Sequence, residues 1–176
     1  MRVACMLVLL GVLGCGGRDD GPRAELADRV QDYVALRRRL EADLPPLATG
    51  ADAETIEKRR AALAEKLVAA SPDARSGTIF TPRVGAAVRG ELRTVLAGDD
   101  GKNARGAILD ENPKGIRVEP RRPYPDGAPL SRVPASVLAV LPPVPDDVEY
   151  RFVGRDLILR DTHANVVIDV LPAAVP

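Results

Sequence analysis

Between residues 24 and 70, apolar side chains recur every three or four positions. In AELADRVQDYVALRRRLEAD (24–43) the residues Leu26, Val30, Tyr33 and Leu40, with Leu44 just beyond, fall along one face. Arg37 occupies one turn of that stripe. The spacing predicts a helix stopped by Pro45 and Pro46. A second helix is expected over Ala53–Ala70, with Ile56, Leu63, Leu67 and Ala70 as its stripe and Asp52 as N-cap. The short connection makes the two an antiparallel hairpin. Thr81 and Pro82 have the order of a cap and a first-turn proline. They open a third helix carrying Val84, Val88, Leu92 and Val95, which Gly98 ends. Asp99 or Asp100 is the expected cap of a fourth, shorter helix running through Leu109 and stopped by Asn112-Pro113.

Beyond residue 110 the period changes. Ile116 and Val118 alternate with Arg117 and Glu119, as in a half-buried strand. Pro125-Asp126-Gly127 reads as a turn. Val137–Leu141 fits either a short strand or one helical turn. Residues 148–172, VEYRFVGRDLILRDTHANVVIDVLP, read as a three-stranded meander. A two-residue turn at Gly154-Arg155 sets Phe152 opposite Leu157, Tyr150 opposite Leu159 and Glu149 opposite Arg160. A second turn at Thr162–Asn165 is expected to set Leu159 opposite Ile168 and Leu157 opposite Val170. Val148, Tyr150, Phe152, Leu157, Leu159, Ile168 and Val170 would then share one apolar face, covered by the helices. The expected fold class is α+β: a helical hairpin at 24–75, then an α+β domain at 76–176 whose helices pack on a small antiparallel meander.

The first residues carry an address. Arg2 precedes an apolar run, Val3–Leu13, that is shorter than the roughly 20 residues needed to span a bilayer. Its size and flanks are those of a secretory signal, residues 1–14. Val12-Leu13-Gly14-Cys15 resembles the bacterial lipobox. That resemblance implies cleavage before Cys15, a diacylglyceryl group on its sulfur, and residues 15–23 as a lipidated tether. The alternative is an ordinary cleaved signal peptide with Cys15 incidental. Gly16 after the cysteine resembles the pattern exported to the outer membrane, so the periplasmic face of that membrane is the expected location. Cleavage also removes Cys5, which leaves no intramolecular disulfide and a fold held by its core alone.

Composition narrows the partners. Lys plus Arg and Asp plus Glu number 25 each, so no basic excess draws in nucleic acid. Aromatics are 3% with no tryptophan, too few for stacking platforms.

The segments IFTPRVGAAVRGEL (79–92) and YPDGAPLSRVPASVLAVLPPVPDDVEYRFVGRDLILRDTHANVVIDVLP (124–172), with the hairpin before them, resemble a family of uncharacterised bacterial envelope proteins. The resemblance implies location and fold, and no activity. The last hairpin is also similar to the C-terminal module of small periplasmic proteins, a nickel/cobalt-homeostasis family among them. No metal-ligand motif transfers from it.

Catalytic chemistry finds no motif. His163 is the only histidine, two residues after Asp161 in an expected turn, without the His/Cys cluster of a metal site. Asp100 and Glu111 have EF-hand end spacing, but Lys102, Ala104 and Arg105 occupy positions that require oxygen ligands or glycine. The pairs Asp99/Asp100, Asp110/Glu111 and Asp146/Asp147 read as helix caps before they read as acid–base pairs. Arg37-Arg38-Arg39 reads as a solvated helix face, and Arg121-Arg122 as a possible interface. No catalytic, cofactor-binding or metal residue is expected; Cys15 is the one modification site. The expected protein is a non-enzymatic, lipid-anchored envelope component that contacts the membrane through Cys15 and a protein partner through the helical hairpin. A periplasmic small-ligand or metal-stress binding module is the alternative, and a carboxylate-pair enzyme a third reading.

Overall fold

The apolar stripe of the first helix fixes how the rest assembles. The computed structural model describes residues 21–112 and 115–176. Helix α1, Gly21–Ala42, buries Leu26, Val30, Tyr33, Val34 and Arg37 along one side. Helix α2, Ala53–Ala69, buries Leu63, Ala64 and Leu67. The Asp52 carboxylate caps α2 by accepting from Thr55 N at 2.7 Å. Helix α3, Pro82–Val95, starts as its sequence implies, with Thr81 Oγ1 accepting from Val84 N. Gly98 (φ 69°) then turns the chain into α4, Gly98–Asp110. Because α4 begins at Gly98, Asp99 and Asp100 lie inside its first turn and cap nothing; the N-cap is Ala97, without a side-chain bond. Their charge still favours the positive end of the helix dipole. Val137 sits in a single helical turn, α5, Ala135–Leu138, which settles that alternative.

Strands β1 (Val148–Val153), β2 (Asp156–Asp161) and β3 (Val166–Leu171) form an antiparallel sheet in the order β1-β2-β3. The first hairpin has the expected register: Phe152↔Leu157, Tyr150↔Leu159 and Glu149↔Arg160. The second does not. Leu159 lies opposite Asp169 and Leu157 opposite Leu171, with an irregularity between Leu159 and Arg160. The partners of Leu159 and Arg160 are Asp169 and Val167, so Ile168 is the extra residue of a bulge. The bulge turns Val170 to the outer face and Asp169 to the inner one. One consequence is that an acidic side chain points at the helices.

Helix α1 packs on α2 and α3, and α3 on α5. Their buried side chains form one cluster with Val148, Tyr150, Phe152, Leu157, Leu159, Val166, Ile168 and Leu171. At Gly85 of α3 the Leu171 Cδ1 methyl of β3 occupies the space a Cβ would take, 2.9 Å from it. The outer face of the sheet is covered too. Tyr124, Val153, Ile158, Val167 and Val170 cluster there, with Ile116, Val118 and Ala128 against them. Residues 116–118 therefore supply side-chain cover and form no strand, contrary to the alternation of their sequence. The backbone that pairs with β3 comes later: Arg121 N donates to Val167 O (2.7 Å), Val167 N to Arg122 O (2.9 Å) and Tyr124 N to Asn165 O (2.8 Å). The expected turn follows, with Ala128 N bonded to Pro125 O and Gly127 at φ 70°.

Two glycines of α4 separate packing from propensity. A Cβ on Gly101 would overlap the Leu96 main chain, whereas one on Gly106 meets nothing within 4 Å. Gly106→Ala is expected to stabilise the protein by up to about 1 kcal/mol. Gly101→Ala is expected to destabilise it by about 1–3 kcal/mol. Urea denaturation of the two variants beside the parent checks both signs.

Candidate functional site

The polar groups that the sequence scatters meet on the inner face of the sheet. Asp161, at the end of β2, is wholly buried. Its Oδ2 accepts from the Tyr33 hydroxyl at 2.8 Å, and its Oδ1 accepts from His163 N (2.8 Å) and Ala164 N (2.9 Å). Arg37 Nη1 lies 3.4 Å from both carboxylate oxygens, and its Nη2 pairs with Asp147. Arg37 is 3% exposed, so it is no part of a solvated face. Its place on the α1 stripe is that of a core residue whose charge Asp161 and Asp147 hold. Burial lowers the Arg37 pKa, but its bond to Asp147 and the charge of Asp161 outweigh that, and the net shift is upward. Burial, then Asp161, raises the Tyr33 hydroxyl well above its usual value, so it stays protonated and donates.

Asp169 is the second wholly buried carboxylate. Its oxygens accept from Gly77 N (3.0 Å), Ile79 N (2.7 Å), Phe80 N (2.8 Å) and Val170 N (2.8 Å). The loop before α3 is thus folded around a β3 side chain, with Gly77 at φ 98° to present its N–H. Arg121 completes the group. Its guanidinium lies 4.4 Å from the Tyr33 ring centroid, and its backbone adopts φ 58° to reach there. Burial lowers its pKa, against the raising influence of Tyr33, Asp169 and Asp161.

The remaining sequence candidates do not converge. His163 sits in the β2–β3 turn with Nε2 2.8 Å from Glu41 Oε1, and Arg59 Nη1 bonds the same oxygen at 2.7 Å. Asp99 bonds Lys102, and Asp110 and Glu111 end α4 instead of starting a helix. Asp147 accepts Arg37 and Asp146 is exposed, so that pair is no cap either. Cys15 lies outside the described residues. Among the described residues no three His, Cys, Asp or Glu side chains gather as metal ligands, and no helix is long and apolar enough to cross a membrane. Sequence reading missed the roles of Asp161, Asp169 and Tyr33, took Arg37 as solvated and took Arg121 as part of an interface. The available signal was acid within an apolar run, VVIDVLP, and base within an apolar stripe. An apolar concavity of about 400 Å³ runs along α2 past Ala61, Ala64 and Val68 to Pro123 and Asn165.

No known protein family matches the chain, and no curated protein does. Among solved structures, the C-terminal domain of inner membrane protein CigR from Salmonella enterica is similar at a TM-score of 0.36 and 23% identity. That similarity covers 58% of this chain and 94% of the CigR domain. A superposition of that quality carries no argument about activity.

The acceptor capacity of both buried carboxylates is taken up by donors of the fold itself. Asp161→Asn is expected to destabilise the protein by about 3–5 kcal/mol, because it leaves Arg37 inadequately paired. Tyr33→Phe is expected to lose about 1.5–3 kcal/mol, the range of a hydrogen bond to a charged group. Denaturant titration measures both. Glu149 makes stability depend on pH. Burial alone would raise the Glu149 carboxyl, but its bonds to Arg151 and Arg160 outweigh that and lower it. A carboxyl that ionises more readily when folded leaves the unfolded chain binding more protons, so stability falls with falling pH. The loss is expected as pH drops below about 4.3, the ordinary glutamate value, toward the lowered folded value. Glu149→Gln should flatten that limb of a stability–pH curve; an unchanged limb would remove Glu149 as its source.

Proposed function

We propose that this is a lipid-anchored, non-catalytic protein of the bacterial cell envelope, held on the periplasmic face of the outer membrane through Cys15. The observation that carries the reading is the Val12-Leu13-Gly14-Cys15 segment at the end of a short apolar run. A diacyl or triacyl cysteine would anchor firmly where a single chain would not. Two structural facts support a role in interaction. Charged side chains of the interior tie the fold together: Arg37 and Asp161 join α1 to the sheet, and Asp169 joins the 77–80 loop to β3. The tip of the helical hairpin meanwhile presents Leu47 and Ile56, each more than 40% exposed. That tip, with the groove along α2, is the surface offered to a partner protein.

Labelling cells with an alkyne fatty acid and fractionating their membranes tests the anchor. The wild-type chain is expected to carry label and sediment with membranes. Cys15→Ala should lose the label and appear in the soluble envelope fraction. A wild-type chain that carries no label would refute the anchor. In-cell crosslinking from position 47 or 56 to a discrete envelope protein would support the partner reading.

A further inference from the structure

The outer edge of β1 is closed by two side chains and one main-chain carbonyl, except at one place. In the β1–β2 ladder the main-chain groups of Glu149, Arg151 and Val153 face β2, so those of Val148, Tyr150, Phe152 and Gly154 face away from it. Asn112 closes Gly154, accepting from its N–H at 2.8 Å and donating to its carbonyl at 2.5 Å. Ser131 closes Phe152 in the same way, its Oγ accepting from the N–H at 3.1 Å and donating to the carbonyl at 2.7 Å. Val148 N donates to Pro145 O at 2.8 Å. Among the described residues the Tyr150 N–H and C=O and the Val148 C=O have no such partner. Tyr150 as a whole residue is 5% exposed. Its side chain is committed to the core and to Pro142 O.

Beside that opening lies a groove of about 370 Å³, lined mainly by Val133, Leu138, Val144, Val148, Tyr150 and Arg132. Leu138 is 49% exposed, the most exposed large apolar residue described. The groove is also positive. Glu149 is neutralised by Arg151 and Arg160, and Arg132 makes no ion pair among the described residues.

We infer that the β1 edge at Tyr150 is a docking site for a short extended peptide of a partner protein. One residue of the peptide pairs with the Tyr150 N–H and C=O. A neighbouring aliphatic side chain enters the groove against Leu138 and Val133, and an acidic residue meets Arg132. Main-chain bonds at a sheet edge supply affinity, and the adjacent pocket supplies selection. The occupant is a slender chain because Ser131 and Pro145 close the edge on either side of the opening. A second copy of this sheet would bring its own 131–133 and 142–145 segments against the same edge and be excluded by them. The inference deepens the interaction reading above by placing a contact on the sheet edge, and it does not depend on Cys15.

A displayed library of random octapeptides, selected against the purified full-length protein in detergent, tests it. Enriched peptides are expected to join an aliphatic residue to Asp or Glu. They should slow amide exchange at Tyr150, and bind Leu138→Asp and Arg132→Glu at least tenfold more weakly. Both substitutions are at exposed positions, and circular dichroism verifies that each variant is folded. No enrichment, equal binding to the variants, or an unprotected Tyr150 amide overturns the inference. So does binding of the wild type to phosphatidylglycerol vesicles that Leu138→Asp abolishes, which would assign Leu138 to a lipid surface. Label lost from Cys15→Ala with peptide binding intact would separate the anchor from the edge site.

Discussion

Two carboxylates with no access to water, Asp161 and Asp169, tie the helices and the loop before α3 to the sheet. A buried carboxylate persists only where donors surround it. Asp161 has a tyrosine, an arginine and two turn amides; Asp169 has four main-chain N–H groups. Each set joins near neighbours in sequence to a distant segment. Asp161 thereby joins α1 to the β2–β3 turn, and Asp169 joins the 77–80 loop to β3. In a chain whose described residues include no cysteine, these polar clamps fix the register of packing that apolar contacts alone leave loose. The bulge at Ile168 belongs to the same arrangement, since without it Asp169 would face outward.

Much of the fold is legible in the sequence because local rules govern it. The apolar stripes of α1 and α3, the Asp52 and Thr81 caps and the Gly154-Arg155 hairpin are all short-range features, whereas of the expected α2 stripe only Leu63 and Leu67 are buried, and Ile56 and Ala70 are exposed. The departures arise where a distant partner decides. Strict alternation over VVIDVLP places Asp169 outside, and only the amides of residues 77–80 make the inner position favourable. Ile116 and Val118 alternate like a strand, yet the edge of β3 is taken by residues 121–124. Arg37 reads as one of three solvated arginines until Asp147 and Asp161 are seen to meet it. The cluster around Asp161 was illegible for the same reason: its members lie 128 residues apart at Tyr33 and Asp161.

The interior and the edges of the sheet divide the work. Inside, Arg37 is held by Asp161 and Asp147 and Asp169 by main-chain amides, which suits a scaffold. At the β3 edge the 121–124 segment supplies an irregular neighbour, and at the β1 edge Asn112 and Ser131 imitate one. Such closure is the usual protection of an edge against uncontrolled pairing. The interruption at Tyr150 is correspondingly specific, and it adjoins the apolar groove at Leu138.

The claim that buried carboxylates hold the assembly together is tested most directly at Asp169. Native-state amide exchange would be followed at Gly77, Ile79 and Phe80 in Asp169→Asn, together with its unfolding midpoint. The account predicts that protection at these three amides collapses and that global stability falls by about 3 kcal/mol or more. Protection and midpoint equal to those of the parent would contradict it.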